Sequence, residues 1–170
     1  INVAAAFTTA GTVTATTSIT GRGNGGIGFA SSANFSATGA SHPISITATA
    51  TGTTGACHGI SLTGGSMSTN AASSGITLSG TSGASNAAAH GININGGSIS
   101  TTSSDISITG VVSLGATAGQ MYGVYMHTTN GITSSSGNIS LSGITNTSGT
   151  TGFGVLIDLG WTTGTTGTLT

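Results

Sequence analysis

The chain has 170 residues, of which one is Lys or Arg and two are Asp or Glu, giving a formal net charge of −1. Charged side chains are 2% of the total, against about 25% in an ordinary soluble domain, while the mean hydropathy is +0.32. A single arginine cannot displace counterions from phosphate or hold anionic head groups, which excludes nucleic-acid binding and electrostatic lipid binding, and no apolar run is long enough to insert as a membrane helix.

In chain order, the first alternating apolar pair is Val13/Ala15. A Gly-plus-β-branched marker follows at Gly26-Ile27-Gly28-Phe29, then a lone apolar Phe35, then the pair Ile44/Ile46. The same trio returns as Gly59-Ile60-Ser61-Leu62, Met67 and Ile76/Leu78. It returns again as Gly91-Ile92-Asn93-Ile94, Ile99 and Ile106/Ile108, and as Gly123-Val124-Tyr125-Met126, Ile132 and Ile139/Leu141. A last marker stands at Gly154-Val155-Leu156-Ile157, and Thr168-Leu169-Thr170 resembles the start of another third strand. Successive markers lie 33, 32, 32 and 31 residues apart. Each unit of about 32 residues therefore predicts three short strands, because period-2 alternation places one set of side chains inward and the other outward. Gly, Ser, Thr and Asn clusters between them supply turns.

Three strands per repeat with no helical periodicity predict an all-β fold, a single-stranded-path parallel β-helix (β-solenoid) in which each repeat is one coil. Residues 1–170 are then one continuous segment of five to six coils, with repeats starting near 26, 59, 91, 123 and 154. The rows Ile60-Ile92-Val124-Val155 and Ile76-Ile106-Ile139 become inward ladders, since no coil can bury its own apolar face alone. The chain opens with Ile1 and not Met, as expected of a mature product, a fragment or part of something longer. Neither end carries a charged or helical cap of the kind that blocks an open edge.

The run from Gly131 through Gly143, with its Ile132, Ile139 and Leu141, and the run from Gly75 to Gly83 resemble the repeats of filamentous-haemagglutinin-like and autotransporter-type bacterial surface adhesins. The resemblance implies secretion, a place on or near the outer membrane, and adhesion or filament building. It assigns these properties to the class and to no particular residue.

Catalysis has little to work with. Glycoside hydrolysis needs two carboxyls facing one bond, whereas Asp105 and Asp158 lie 53 residues apart and the chain has neither Glu nor Lys; no enzyme activity and no cofactor are expected. Of the histidines His42, His58, His90 and His127, the middle two precede the marker where later repeats carry Tyr122 and Phe153. That series reads as an aromatic ladder at one corner of the coil. The sharper alternative is a metal clamp of His58, His90 and Cys57; zinc wants three or four ligands, and the next coils replace His by aromatics. Cys57, Met67, Met121, Met126 and Trp161 read as packing residues. Outward hydroxyls such as Thr47, Thr77, Ser107 and Ser140 suggest the flat arrays of ice- or surface-binding solenoids, with Ser and Thr alternating irregularly.

The leading expectation is an extracellular structural segment of a surface adhesin or filament that stacks on itself, or on adjacent segments of a longer chain, along the solenoid axis. A glycan- or receptor-binding module, contacting host or cell-surface glycans, is the first alternative. An ice- or surface-binding solenoid is the second.

Overall fold

Short alternating stretches become strands, and like strands of successive repeats pair. The computed structural model describes residues 2–3, 7–9, 13–19, 26–29, 34–38, 43–52, 56–70, 75–83, 88–113, 119–127, 131–146 and 152–158. Ile1, Arg22, His42, Trp161 and Leu169 lie outside them. The first sheet contains β1 (Asn2–Val3), β4 (Ile27–Phe29), β7 (Ile60–Leu62), β10 (Ala89–Ile94), β13 (Met121–His127) and β16 (Gly152–Asp158), in that order. The second contains β2 (Phe7–Thr9), β5 (Asn34–Ala37), β8 (Ser66–Thr69), β11 (Ser98–Thr101) and β14 (Ile132–Ser134). The third contains β3 (Val13–Ile19), β6 (Ile44–Ala50), β9 (Ile76–Ser82), β12 (Ile106–Val112) and β15 (Ile139–Thr145). Every pairing is parallel, and the chain visits the three sheets in rotation. The protein is a parallel β-solenoid.

The register stacks like on like. Ile60, Ile92, Val124 and Val155 are successive partners, as are Ile76, Ile106 and Ile139. These residues share one aliphatic core with Ile99, Ile108, Ile132 and Met67; all are buried except Val155, which packs against it half-buried. The core also contains inward hydroxyls that the apolar pattern does not reveal. Thr101 and Ser134 are register partners and both bury their side chains. Thr101 Oγ1 and Ser134 Oγ donate to the Ser104 carbonyl at 2.6 and 3.0 Å, and Ser134 Oγ accepts from the Gly137 N–H at 2.8 Å. Such bonds make buried hydroxyls tolerable where the chain turns from the second sheet to the third.

Two readings of the sequence need correction. The first coil is shorter than the rest: Asn2 pairs with Gly28 and Phe7 with Phe35, separations of 26 and 28 residues, so β1 and β2 precede the β3 copy without carrying the marker. The hydroxyl row on the third sheet is Ser45-Thr77-Ser107-Ser140. Thr47 belongs to the neighbouring row, opposite Ser79, because it lies two residues further along β6.

The marker glycine has a specific purpose. Gly59, Gly91, Gly123 and Gly154 form a row in the first sheet that meets Gly80, Gly110 and Gly143 of the third. A Cβ on Gly91 would collide with Val111 N and Gly110 C, and one on Gly110 with the Gly123 carbonyl. The two backbones therefore touch along a seam. At the seam, two consecutive residues of the first sheet, such as Gly91 and Ile92, both face the opposing sheet, so strict alternation is interrupted there. Val112 and Met121 form a separate small core beyond it. Ala50 and Ser82, in register with Val112, and Ala89, in register with Met121, are buried too, as is Cys57, whose carbonyl accepts from Ser82 Oγ. Between first and second sheets, Gly97 turns with φ of 76°, a conformation that favours glycine.

Gly123→Ala should lose about 3 kcal/mol, because backbone on the far side of the seam cannot yield to an added methyl. Ser107→Ala, on the outer face, should change stability by under about 0.5 kcal/mol. Ile106→Asp should abolish cooperative folding, since it places an unpaired charge in the core. Urea denaturation of the three variants checks all of these outcomes.

Candidate functional site

The parity change at the seam determines what the first sheet presents outward. Beyond it, His58, His90, Tyr122 and Phe153 form one column. His58 and His90 stack with ring centres 4.9 Å apart and planes 7° from parallel. His90 and Tyr122 follow at 5.1 Å and 11°, and Tyr122 and Phe153 at 6.0 Å and 18°. The column is not at a corner: His90, Tyr122 and Phe153 lie within β10, β13 and β16, because these strands extend through the marker glycine. Strand spacing of about 4.8 Å is close to the stacking distance of planar rings, so one ring per coil makes a continuous stack.

Each imidazole also stitches its coil to the next. The His90 backbone N–H donates to His58 Nδ1 at 3.2 Å, and the Tyr122 N–H donates to His90 Nδ1 at 3.3 Å. A ring nitrogen that accepts must carry no proton, which assigns the proton of the neutral ring to Nε2. Burial lowers His58 to about 4. Burial, and then the proximity of His58, lower His90 to about 3. Both rings are neutral at neutral pH.

Three groups join the column that spacing alone does not pick out. Tyr125 tilts against His90 at 5.0 Å and against Tyr122 at 5.3 Å. In a regular strand residues three apart face opposite ways; the two inward residues Gly123 and Val124 bring Tyr122 and Tyr125 to the same side. Burial, with Asp158 and Tyr122 nearby, pushes the Tyr125 phenol up. His127 stacks on Tyr125 at 5.9 Å, and its Nδ1 lies 3.2 Å from Asp158 Oδ2. Asn93, the register partner of Tyr125, donates to Ser61 Oγ at 3.4 Å and buries an Oδ1 without a hydrogen-bond partner.

The metal clamp is not assembled. Cys57 is fully buried, whereas His58 is half-buried within the ring stack, and both imidazole Nδ1 atoms already accept backbone N–H groups. Among the described residues no three His, Cys, Asp or Glu side chains come together in a way that could hold a metal ion. The two carboxylates are on different sheets: Asp158 ends β16 beside His127, while Asp105 precedes β12 and accepts the Asn138 N–H at 2.7 Å.

Tyr122→Ala should cost about 3 kcal/mol, as expected for deleting a buried ring. Phe153→Ala should cost under about 1 kcal/mol, because that ring is 52% exposed. Chelator treatment should leave Tm unchanged, and a large drop would reinstate the clamp; thermal denaturation with and without chelator measures it. Comparison of the chain with protein-family models, with curated proteins and with solved structures finds no match.

Proposed function

We propose that this chain is a structural segment of a secreted bacterial surface adhesin or extracellular filament, extended by coil-on-coil stacking along the solenoid axis. The observation that carries this reading is where apolar surface is exposed. Among the described residues, the exposed large hydrophobics Ile144, Phe153 and Ile157 all lie on β15 and β16, the last described strands of their sheets. On the first sheet the partners one coil earlier are covered: Tyr122 is 4% exposed against 52% for Phe153, and Met126 1% against 39% for Ile157; Val111, the partner of Ile144, is half-buried. A further coil, from an adjacent segment or a second copy, would cover these side chains and pair the open strand edge. So few charges leave little repulsion to oppose such stacking.

Glycan binding is the second reading, favoured by Tyr125, Phe153 and the exposed His127–Asp158 pair on one face. Aromatic rings would take the apolar face of a sugar, and the polar pair its hydroxyls. Stacking requires Phe153 covered and glycan binding requires it open, so glycan arrays run on assembled and dissociated material separate the two.

Sedimentation and electron microscopy should show polymers of graded length, and Ile157→Lys should shift them to short species. A monodisperse 16.0 kDa monomer at micromolar concentration would overturn stacking of copies.

A further inference from the structure

We propose that His58 and His90 form an acid-operated latch: protonation releases the small compartment beyond the glycine seam and uncovers the Cys57 thiol, while the main aliphatic core stays closed.

The hydrogen bonds define the latch. Both rings hold the next coil by accepting a backbone N–H on Nδ1, at 3.2 and 3.3 Å. A protonated imidazole carries N–H on both nitrogens. Protonation therefore sets donor against donor at each of these contacts, and places two cations in rings 4.9 Å apart. No described counter-ion compensates. Tyr122 and Tyr125 face His90 from β13. His127 ends β13, one strand away, where it faces Tyr125 and Asp158; Asp158 is two strands away on β16, and Asp105 adjoins the third sheet. The opposing β9 and β12 carry no titratable side chain, and Cys57, next to His58 in the chain, is fully buried with its backbone carbonyl accepting from Ser82 Oγ.

The pH window follows from the depressed values. An unfolded imidazole titrates near 6.5, whereas His58 does so at about 4 and His90 at about 3. Between these limits the open state binds more protons than the closed one, so closure weakens as pH falls. The latch is fully engaged above about 6.5 and is lost as pH drops through about 4 for His58 and about 3 for His90.

Opening is local because the seam divides the molecule. The main core is one continuous cluster running from Ile27 to Ile139, whereas the compartment beyond the glycines holds a few side chains, among them Met121 and Val112. Regions with little buried apolar contact open at lower free energy than the global transition. Cys57, fully buried and adjacent to His58, adjoins that compartment through its carbonyl, which accepts from Ser82, the register partner of Val112, and it is the chain's single thiol.

That thiol reports the event. A dithiodipyridine reagent, which labels thiols in acid, should react with Cys57 at least about tenfold faster at pH 4 than at pH 7, relative to a denatured control, with the far-UV β signal unchanged. The His58→Phe/His90→Phe variant keeps a stacked ring at both positions, as the chain itself does at Phe153, and retains both aspartates. It should stay closed at pH 4. Labelling of that folded variant in the same range would overturn the latch, as would protection of the unsubstituted protein or loss of its β signal together with labelling. Should the variant fail to fold at neutral pH, NMR decides on the unsubstituted protein. The His90 and Tyr122 amide signals should move with the imidazole signals, and amides indifferent to that titration would overturn the proposal.

Discussion

The contact on which the rest of the solenoid depends is the meeting of two backbones at the glycine rows of the first and third sheets. Gly91 opposes Gly110, and Gly123 opposes Gly143, closely enough that a Cβ on either side would strike main-chain atoms. Side-chain packing normally keeps facing sheets about 10 Å apart; the seam lets these two converge to a line. The convergence closes one edge of the aliphatic core, forces two successive residues inward at each marker, and leaves a second small compartment on the far side. The outward aromatic column follows from the same local event, since it places Tyr122 and Tyr125 on one side of β13.

Stacking in register also accounts for the near absence of charge. In this fold each residue sits directly against its equivalent in the next coil, so a charge written into the repeat would face its own copy, and like charges opposite one another repel. The described carboxylates avoid that arrangement. Asp158 has His127 as its register partner, and Asp105 accepts the backbone N–H of Asn138. Neutral groups gain from the same geometry: Ser68 donates to Ser36, Ser66 to Asn34, and His58 and His90 stack. Hydroxyls, amides, aliphatics and rings can repeat at this spacing; ammonium and carboxylate groups cannot do so without a partner.

Much of this was legible without coordinates. The marker spacing of 31 to 33 residues and the alternation within Ile44/Ile46 or Ile106/Ile108 require strands that stack in parallel, because one-residue slippage would expose a whole apolar set. The column His58-His90-Tyr122-Phe153 was visible as rings at constant offset from the marker. The strand β2 was not, since a shortened first coil breaks the period. Nor were the buried hydroxyls of Thr101 and Ser134, whose burial depends on a carbonyl supplied by the next turn.

The sequence by itself determined the period, the three strands per coil, the parallel stacking and the inward aliphatic rows, all of which follow from side-chain order and hydrophobic burial along one chain. Only the tertiary structure decided how the sheets meet. That the marker glycines of one sheet face the glycines of another, that alternation breaks there, and that Tyr125 therefore joins His90 while Cys57 is enclosed behind them, depend on the distance between backbones remote in sequence. No local pattern specifies that distance, because a glycine written for a turn and a glycine written for a close approach are the same letter.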